Sequence, residues 1–378
     1  MSPAPTLQPG IDGSFITVFW PGGRSSRYHA VWLRDHGQDA ASRDPGNGQK
    51  KLSATDIPSG LCIRGATLNG SRLKVSFDDG SLTWLDLDWL RRHAYDRTDG
   101  ETLIPKGRKT WAGDLNADGV MESFPRVADD PAVLEKWLRW VDTLGFARLR
   151  DVPAVPGAVL DGSALFGFVR ETNYGRLFEV RSEPDPVNLA YTRMGLDPHT
   201  DNPYRDPVPT LQFLHCLENS AGGGESNVVD GFRVAEILRR EDPARFALLS
   251  RYNVTFRYCG DGRSDLTAHR PMLEVSPDGQ LVQVRINSRS IQSLTGVPYD
   301  LVPDCYAANR HLEEITRRPE ASVAFRMEPG ELFVVDNTRV LHGRGGFTKT
   351  GLRWLQGAYA DIDGLRSTLA LLGRRHAA

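Results

Sequence analysis

The chain has 378 residues, 40% of them hydrophobic and 25% charged, with a formal net charge of −2. That composition excludes a disordered polymer, the near-neutral charge argues against a nucleic-acid partner, and the length suits two domains rather than one. No run approaches the roughly 20 apolar residues of a membrane helix, no secretory pattern opens the chain, and Cys62, Cys216, Cys259 and Cys305 are too scattered for a zinc pair or a disulfide framework, so a cytoplasmic protein with reduced thiols is expected.

In chain order, residues 15–20 alternate and stop at Pro21-Gly22-Gly23, and 29–33 is a short apolar run. Residues 61–77 hold two strands joined at Asn69-Gly70, a dipeptide that supplies the positive φ of a tight hairpin. Residues 81–87 follow as a strand after Asp78-Asp79-Gly80, and 88–93 as a short helix starting near Asp88. Residues 1–105 are thus expected as a small β-rich N-terminal domain. Residues 106–125, polar and without period, are expected as a linker, and 126–378 as the second domain. No repeat of fixed period shows.

The second domain opens with a helix over 132–144, with Asp130 as N-cap and Pro131 in the first turn. A strand over 146–149 and a helix over 159–170 are expected next. Short apolar runs at 210–216, 227–229, 253–258, 281–286, 332–335 and 352–360 are candidate strands, with helices at 232–240, 244–252 and 304–316. A mainly β pattern with few helices predicts a double-sheet jelly roll.

Within it, His199-Thr200-Asp201 places an imidazole and a carboxylate two residues apart, on one side of an extended chain. His342 follows an apolar strand and a turn. Two histidines and one carboxylate make the facial triad of non-haem iron oxygenases, which leaves positions open for a cosubstrate and dioxygen. Arg353 opens the next apolar strand, and arginine is the side chain that grips a carboxylate with two parallel charge-assisted hydrogen bonds.

This order, with Gly222-Gly223-Gly224-Glu225-Ser226 between, resembles the taurine dioxygenase superfamily of Fe(II)/2-oxoglutarate oxygenases. Trp32-Leu33-Arg34-Asp35, Tyr174-Gly175, Asn188-Leu189-Ala190-Tyr191-Thr192, Leu214-His215-Cys216, Val229-Asp230-Gly231-Phe232 and Arg353-Trp354-Leu355-Gln356-Gly357-Ala358-Tyr359 are similar to its γ-butyrobetaine and trimethyllysine hydroxylase branch, over nearly the whole chain. The resemblance implies a double-stranded β-helix oxygenase domain that uses Fe(II), 2-oxoglutarate and dioxygen on a small zwitterionic substrate. It assigns iron to His199, Asp201 and His342, and the oxoacid to Arg353 with Ser226. A cage for trimethylammonium falls on Tyr174, Phe178, Tyr191 and Tyr359, since such a cation is held by aromatic faces.

For the anionic end, the resemblance points to Asn188 and Asn287. Asn202 stands where the butyrobetaine enzymes are expected to carry tyrosine, and Arg176 and Arg289 add cations near the motifs. This pattern resembles the branch that hydroxylates 2-(trimethylamino)ethylphosphonate; γ-butyrobetaine is the alternative substrate. A barrel that only binds quaternary amines is the reading from another class, and it leaves the full ligand set unexplained. In the N-terminal domain, relatives hold a structural zinc. Here Gly37, Asp39 and Ser42 occupy the cysteine positions and Ser81 falls near the histidine position, so no structural zinc is expected. The domain is expected to serve packing and a homodimer.

Overall fold

The computed structural model describes residues 4–96, 102–181, 194–260, 262–348 and 350–375. The chain divides into two units, Met1–Gly100 and Glu101–Ala378. In the first, β1 (Thr6–Pro9), β2 (Phe15–Trp20) and β3 (Arg24–His29) form an antiparallel sheet that runs into α1 (Ala30–Asp35). Then β4 (Ile63–Asn69), β5 (Arg72–Phe77) and β6 (Leu82–Asp86) form a second antiparallel sheet that runs into α2 (Leu87–Arg92). The Asn69-Gly70 hairpin lies where the sequence puts it. The run 29–33 does not form a strand: it leaves β3 at His29 and becomes α1, from which Leu33 reaches the core. A short apolar run fits either element, and packing decides. α2 starts before Asp88 because Asp86 caps it, accepting from the Trp89 amide at 2.8 Å.

The two halves of this unit repeat one plan, which corrects the expectation of no repeat. Trp32-Leu33-Arg34-Asp35-His36 and Trp89-Leu90-Arg91-Arg92-His93 sit at equivalent places on α1 and α2. His36 and His93 end their helices with Nδ1 2.9 and 2.7 Å from the carbonyl of Trp32 and Trp89. Each ring stacks on that indole, at 4.5 and 4.1 Å, and the two indoles stack on each other at 5.5 Å. Leu33 and Leu90 are both fully buried. Only one pentapeptide keeps the repeat legible in sequence.

The second unit continues with β7 (Met121–Ser123), α3 (Phe124–Asp129), α4 (Pro131–Leu144) and β8 (Phe146–Arg150). Residues 106–125 are therefore not a free linker. β7 pairs in parallel with β8, and buried Trp111 donates from its indole to Leu144 O at 2.7 Å and from its amide to Asp230 at 3.0 Å. The few apolar residues of this segment enter the core singly, so no period announced them. α4 begins as expected, with Asp130 accepting from the Ala132 amide at 2.8 Å, and it ends at Gly145 in the left-handed region (φ 75°). The helix expected over 159–170 is only α5 (Val159–Ala164), closed by the amides of Phe166 and Gly167 returning to Ser163 O.

Next come β9 (Phe178–Arg181), β10 (Leu196–His199), β11 (Leu211–Asn219), β12 (Ser226–Asp230), α6 (Gly231–Glu241) and α7 (Pro243–Arg251). β13 (Val254–Tyr258) and β14 (Leu266–Arg270) form one hairpin, β15 (Leu273–Val275) and β16 (Leu281–Val284) another. α8 (Val302–Thr316), β17 (Ser322–Phe325), β18 (Leu332–Asp336), β19 (Val340–Arg344), β20 (Arg353–Ala360) and α9 (Ile362–Arg375) complete the unit.

The order β7-β8-β18-β11-β20-β9 makes a six-stranded sheet and β10-β19-β12-β17 a four-stranded one. Residues of both sheets, among them Phe146, Leu214, Val228, Phe333 and Leu355, share one core, as the jelly roll requires. The other face of the larger sheet is covered by α4, α5 and α9, through Trp137, Val159 and Leu365 against Phe213, Val334 and Ala358. No helix among the described residues is long and apolar enough to cross a membrane.

Candidate metal centre and its cavity

β10 and β19 pair so that His199 lies directly opposite His342, which brings the two rings to 4.6 Å between centroids. Asp201 follows β10, with Oδ1 3.3 Å from His199 Nε2. One ligand atom from each of these three residues falls within 4.8 Å of the others, the one such group of histidine, cysteine and acidic residues among the described residues. His199 Nδ1 is 2.8 Å from Asp197 O, so this nitrogen carries the proton and Nε2 is left as donor to a metal. Burial and then the neighbouring His199 push His342 down to about 3. Burial opposes the charge of Asp201, but the neighbouring His199 and His342 and the Tyr359 phenol hold it below the ordinary carboxylate range. A carboxylate and two imidazoles, gathered beside an open cavity, are the donor types that fit Fe(II).

Two residues not singled out from the sequence, Gln212 and Asn337, shape this ligand together with Tyr359. Gln212 Nε2 and Tyr359 Oη each donate to Asp201 Oδ2 at 2.8 Å. Asn337, 1% exposed, pins the backbone: its Oδ1 accepts from the Asp201 amide at 2.7 Å and its Nδ2 donates to Asp201 O at 2.9 Å. The turn that carries Asn337 is itself anchored by Arg339, which donates to both oxygens of Asp230 (3.0 and 2.9 Å), with both side chains wholly buried. A polar residue on the apolar run of β11 was the signal for Gln212; Asn337 carried only that of a turn residue.

The triad opens into a cavity of about 270 Å³. Arg353 lines it on β20, 6% exposed. Its Nε donates to Gly224 O at 3.2 Å, and its terminal nitrogens hydrogen-bond none of the described residues. Burial pushes its pKa down to about 10, a penalty that a bound carboxylate removes. Arg344, which sequence reading also missed, lines the same end and is pushed down to about 10 by burial and by Arg353. Ser226 lies beside them, paired with Arg344 across β12 and β19.

The opposite wall is aromatic. Tyr359 stacks on Phe178 at 4.9 Å, Phe178 approaches Tyr174 at 6.2 Å, and all three line the cavity. Gly357 pairs with Phe178 across β20 and β9, and a Cβ there would stand 2.2 Å from the ring, so only glycine leaves the ring its place. Tyr204 and Tyr258 extend the wall: they stack at 5.1 Å, and the hydroxyls of Tyr174 and Tyr204 are 2.9 Å apart. Of the residues expected at the anionic end, Asn202, Asn287 and Arg289 line the cavity. Asn202 is 3% exposed, at φ 52°, with neither amide atom partnered. Asn287 already donates from Nδ2 to Thr200 O at 3.0 Å. Arg176 is exposed and does not line the cavity, which corrects its assignment: it sits in a bend between the Thr172–Gly175 bridge and the start of β9, outside the strand that carries Phe178 into the wall. Asn188 and Tyr191 lie outside the described residues.

In the first unit, Gly37, Asp39 and Ser42 do come together, and the side chain that meets them from β6 is Thr83, while Ser81 is tied to Asp79 in its own turn. A Cβ on Gly37 would stand 2.1 Å from Thr83 Oγ1 and 2.4 Å from Ser42 Oγ. Asp39 accepts from Thr83 Oγ1 at 2.6 Å, from the Trp84 amide at 3.2 Å and from the Ser42 amide at 3.0 Å. The four cysteines are free, Cys216 and Cys305 buried, Cys259 exposed at the cavity mouth.

Residues 113–359 match the family described as taurine catabolism dioxygenase TauD, TfdA, and residues 11–91 match the γ-butyrobetaine hydroxylase-like N-terminal family. The chain is 36% identical over 366 residues to a γ-butyrobetaine dioxygenase of Pseudomonas sp. (strain AK-1), covering 96% of this chain and 94% of that protein. It is 33% identical over 355 residues to the mitochondrial trimethyllysine dioxygenase of Rattus norvegicus, covering 92% and 83%. The solved structure of an asparagine oxygenase aligns with 67% of this chain and 86% of its own, at TM-score 0.49 and 21% identity.

Proposed function

Since the chain belongs to the TauD, TfdA family and is a 2-oxoglutarate-dependent dioxygenase, we propose that it hydroxylates a small trimethylammonium-bearing acid, with γ-butyrobetaine as the first substrate to test. One observation carries this reading: the His199, Asp201, His342 group, buried Arg353 and a wall of five aromatic rings all line a single cavity. In this reading His199, Asp201 and His342 hold Fe(II), and Arg353 with Ser226 holds the distal carboxylate of 2-oxoglutarate. When bound, the iron supplies dioxygen activation coupled to loss of carbon dioxide from the oxoacid, which leaves succinate. The protein supplies position and dryness. Tyr174, Phe178 and Tyr359 offer ring faces to a cation that has no N–H to donate. Asn202, Asn287 and Arg289 receive the anion, and the distance between the two ends decides which C–H meets the metal.

The expectation of a phosphonate substrate gives way here to the carboxylate, because the relatives at 36% and 33% identity are γ-butyrobetaine and trimethyllysine dioxygenases. One feature keeps 2-(trimethylamino)ethylphosphonate as the second reading. Asn202 is buried with both amide atoms unpartnered, and Arg289 lines the same cavity, so a third acceptor oxygen has groups to meet. Competition between the two substrates in one vessel, with iron(II), 2-oxoglutarate and dioxygen, tests the order. Faster hydroxylation of γ-butyrobetaine supports the first reading, faster consumption of the phosphonate supports the second, and succinate release with no product from either overturns both.

A further inference from the structure

We propose that Gln212 and Tyr359 form a cross-strand clamp that fixes Asp201 as a one-oxygen metal ligand, and that Tyr359 thereby ties metal ligation to occupancy of the aromatic wall. The two residues are register partners on β11 and β20, and both side chains face the cavity. Each donates to the same atom, Asp201 Oδ2, at 2.8 Å. Two donors arriving from adjacent strands set the rotation of the carboxylate and load Oδ2, which lies 4.0 Å from His342 Nε2, while Oδ1, 3.3 Å from His199 Nε2, takes neither donor. A carboxylate without such a clamp can offer both oxygens to one cation and take up a position that cosubstrate or dioxygen needs. Asn337 holds the backbone of the same residue by a separate pair of bonds, so the clamp acts on the side chain alone.

Tyr359 has a second contact that Gln212 lacks. Its ring stacks on Phe178 at 4.9 Å and is part of the wall proposed to receive the quaternary cation. A cation against that ring draws electron density from it and makes the phenol a stronger donor to Asp201. The carboxylate then gives less charge to the metal when the cation is present. Outer partners of metal ligands commonly change metal affinity by about 10- to 100-fold when removed. The coupling half of this inference rests on the proposed cation subsite; the clamp half does not.

The test is an anaerobic titration of Fe(II) into metal-free protein with 2-oxoglutarate, followed by the visible charge-transfer band, with and without γ-butyrobetaine. Wild type, Tyr359→Phe and Gln212→Leu are compared, with far-ultraviolet circular dichroism and unfolding midpoints as folding checks. Tyr359→Phe keeps the ring and removes the donor. It is expected to bind iron at least about tenfold more weakly, to bind the amine within about fivefold of wild type, and to show no amine-dependent change in the band. In air it should form more succinate per hydroxylated product than wild type. Gln212→Leu should weaken iron to a similar degree, yet its band should still respond to the amine. Iron held within twofold of wild type by whichever variant is folded overturns the clamp. A normal band response in Tyr359→Phe overturns the coupling. A wild-type band that responds to no trimethylammonium acid counts against the substrate reading instead, and the iron arm still decides the clamp.

Discussion

Asp39 in the first unit and Asp201 in the second are both partly buried carboxylates ringed by hydroxyl and amide donors, yet their oxygens are used differently. Asp39 is saturated. Oδ1 takes the amides of Ala41 and Ser42, and Oδ2 takes the Thr83 hydroxyl, the Trp84 amide and the Ser42 hydroxyl. Asp201 has only Oδ2 committed, to Gln212 and Tyr359, while Oδ1 takes no amide or hydroxyl donor and lies 3.3 Å from His199 Nε2. The first arrangement staples the loop after α1 to β6; the second offers a ligand atom. A carboxylate becomes a metal ligand when the fold satisfies one oxygen and withholds donors from the other.

The widest expected divergence is in chemistry. His199→Ala and Asp201→Ala should each abolish the charge-transfer band of the Fe(II)–oxoglutarate complex and lower turnover at least about 100-fold, the upper range for losses at a metal site. Asp39→Ala should leave the band of the folded protein unchanged. A band that survives Asp201→Ala would break the contrast.

Acid should separate the two units next. His215 on β11 is fully buried with neither ring nitrogen partnered, and burial pushes it down to about 4 from the usual 6.5. Between those values the unfolded chain binds a proton that the folded chain refuses. Stability is therefore complete above pH 6.5 and falls as the pH is lowered, by up to about 3 kcal/mol. Asp39 loses its contribution in a lower window: burial opposes its charge, but Thr83, Trp84 and Ser42 lower its pKa below 3.8, so its contribution is complete above pH 3.8 and is lost as the pH falls from there through the folded value. Urea midpoints from pH 7 to pH 4.5 should fall for wild type and flatten for His215→Leu. An equal slope in both would assign the acid sensitivity to other groups.

Removing the charge of Asp39 measures the staple directly. Asp39→Asn leaves donors of Thr83 and Trp84 without a charged acceptor, a loss of about 1.5–3 kcal/mol. Chemical unfolding of the iron-free protein should register it, and a chelator added to iron-free wild type should not shift the midpoint further. A chelator-sensitive midpoint with Asp39→Asn neutral would give the staple's role to a metal.

The smallest effect belongs to the cavity wall. Phe178→Leu keeps an apolar side chain and removes a ring face, and should weaken γ-butyrobetaine by about 1–2 kcal/mol, roughly 5- to 30-fold. A tert-butyl isostere should lose far less, as isothermal titration can show. Equal losses would describe a wall that is only hydrophobic.

The sequence by itself determined the ligand types and their order, because His199 and Asp201 are two residues apart on one extended segment and Arg353 and Tyr359 share the inner face of one strand by period-two alternation. Alternation and turn chemistry are local, so the Asn69-Gly70 hairpin, the Asp130 cap and five of the ten strands of the two barrel sheets (β8, β11, β12, β18 and β20) were legible as well. Tertiary structure alone decided which residues meet across strands. The pairing of His199 with His342, the convergence of Gln212 and Tyr359 on one oxygen, and the contact of Asn337 with Asp201 depend on strand register between distant segments. It also turned Arg176 out of the cavity, brought Tyr204 and Tyr258 into it, and built Trp111 into a core from a stretch that read as polar connection. No local period encodes such contacts, since each is set by how two sheets and a turn pack around a common interior.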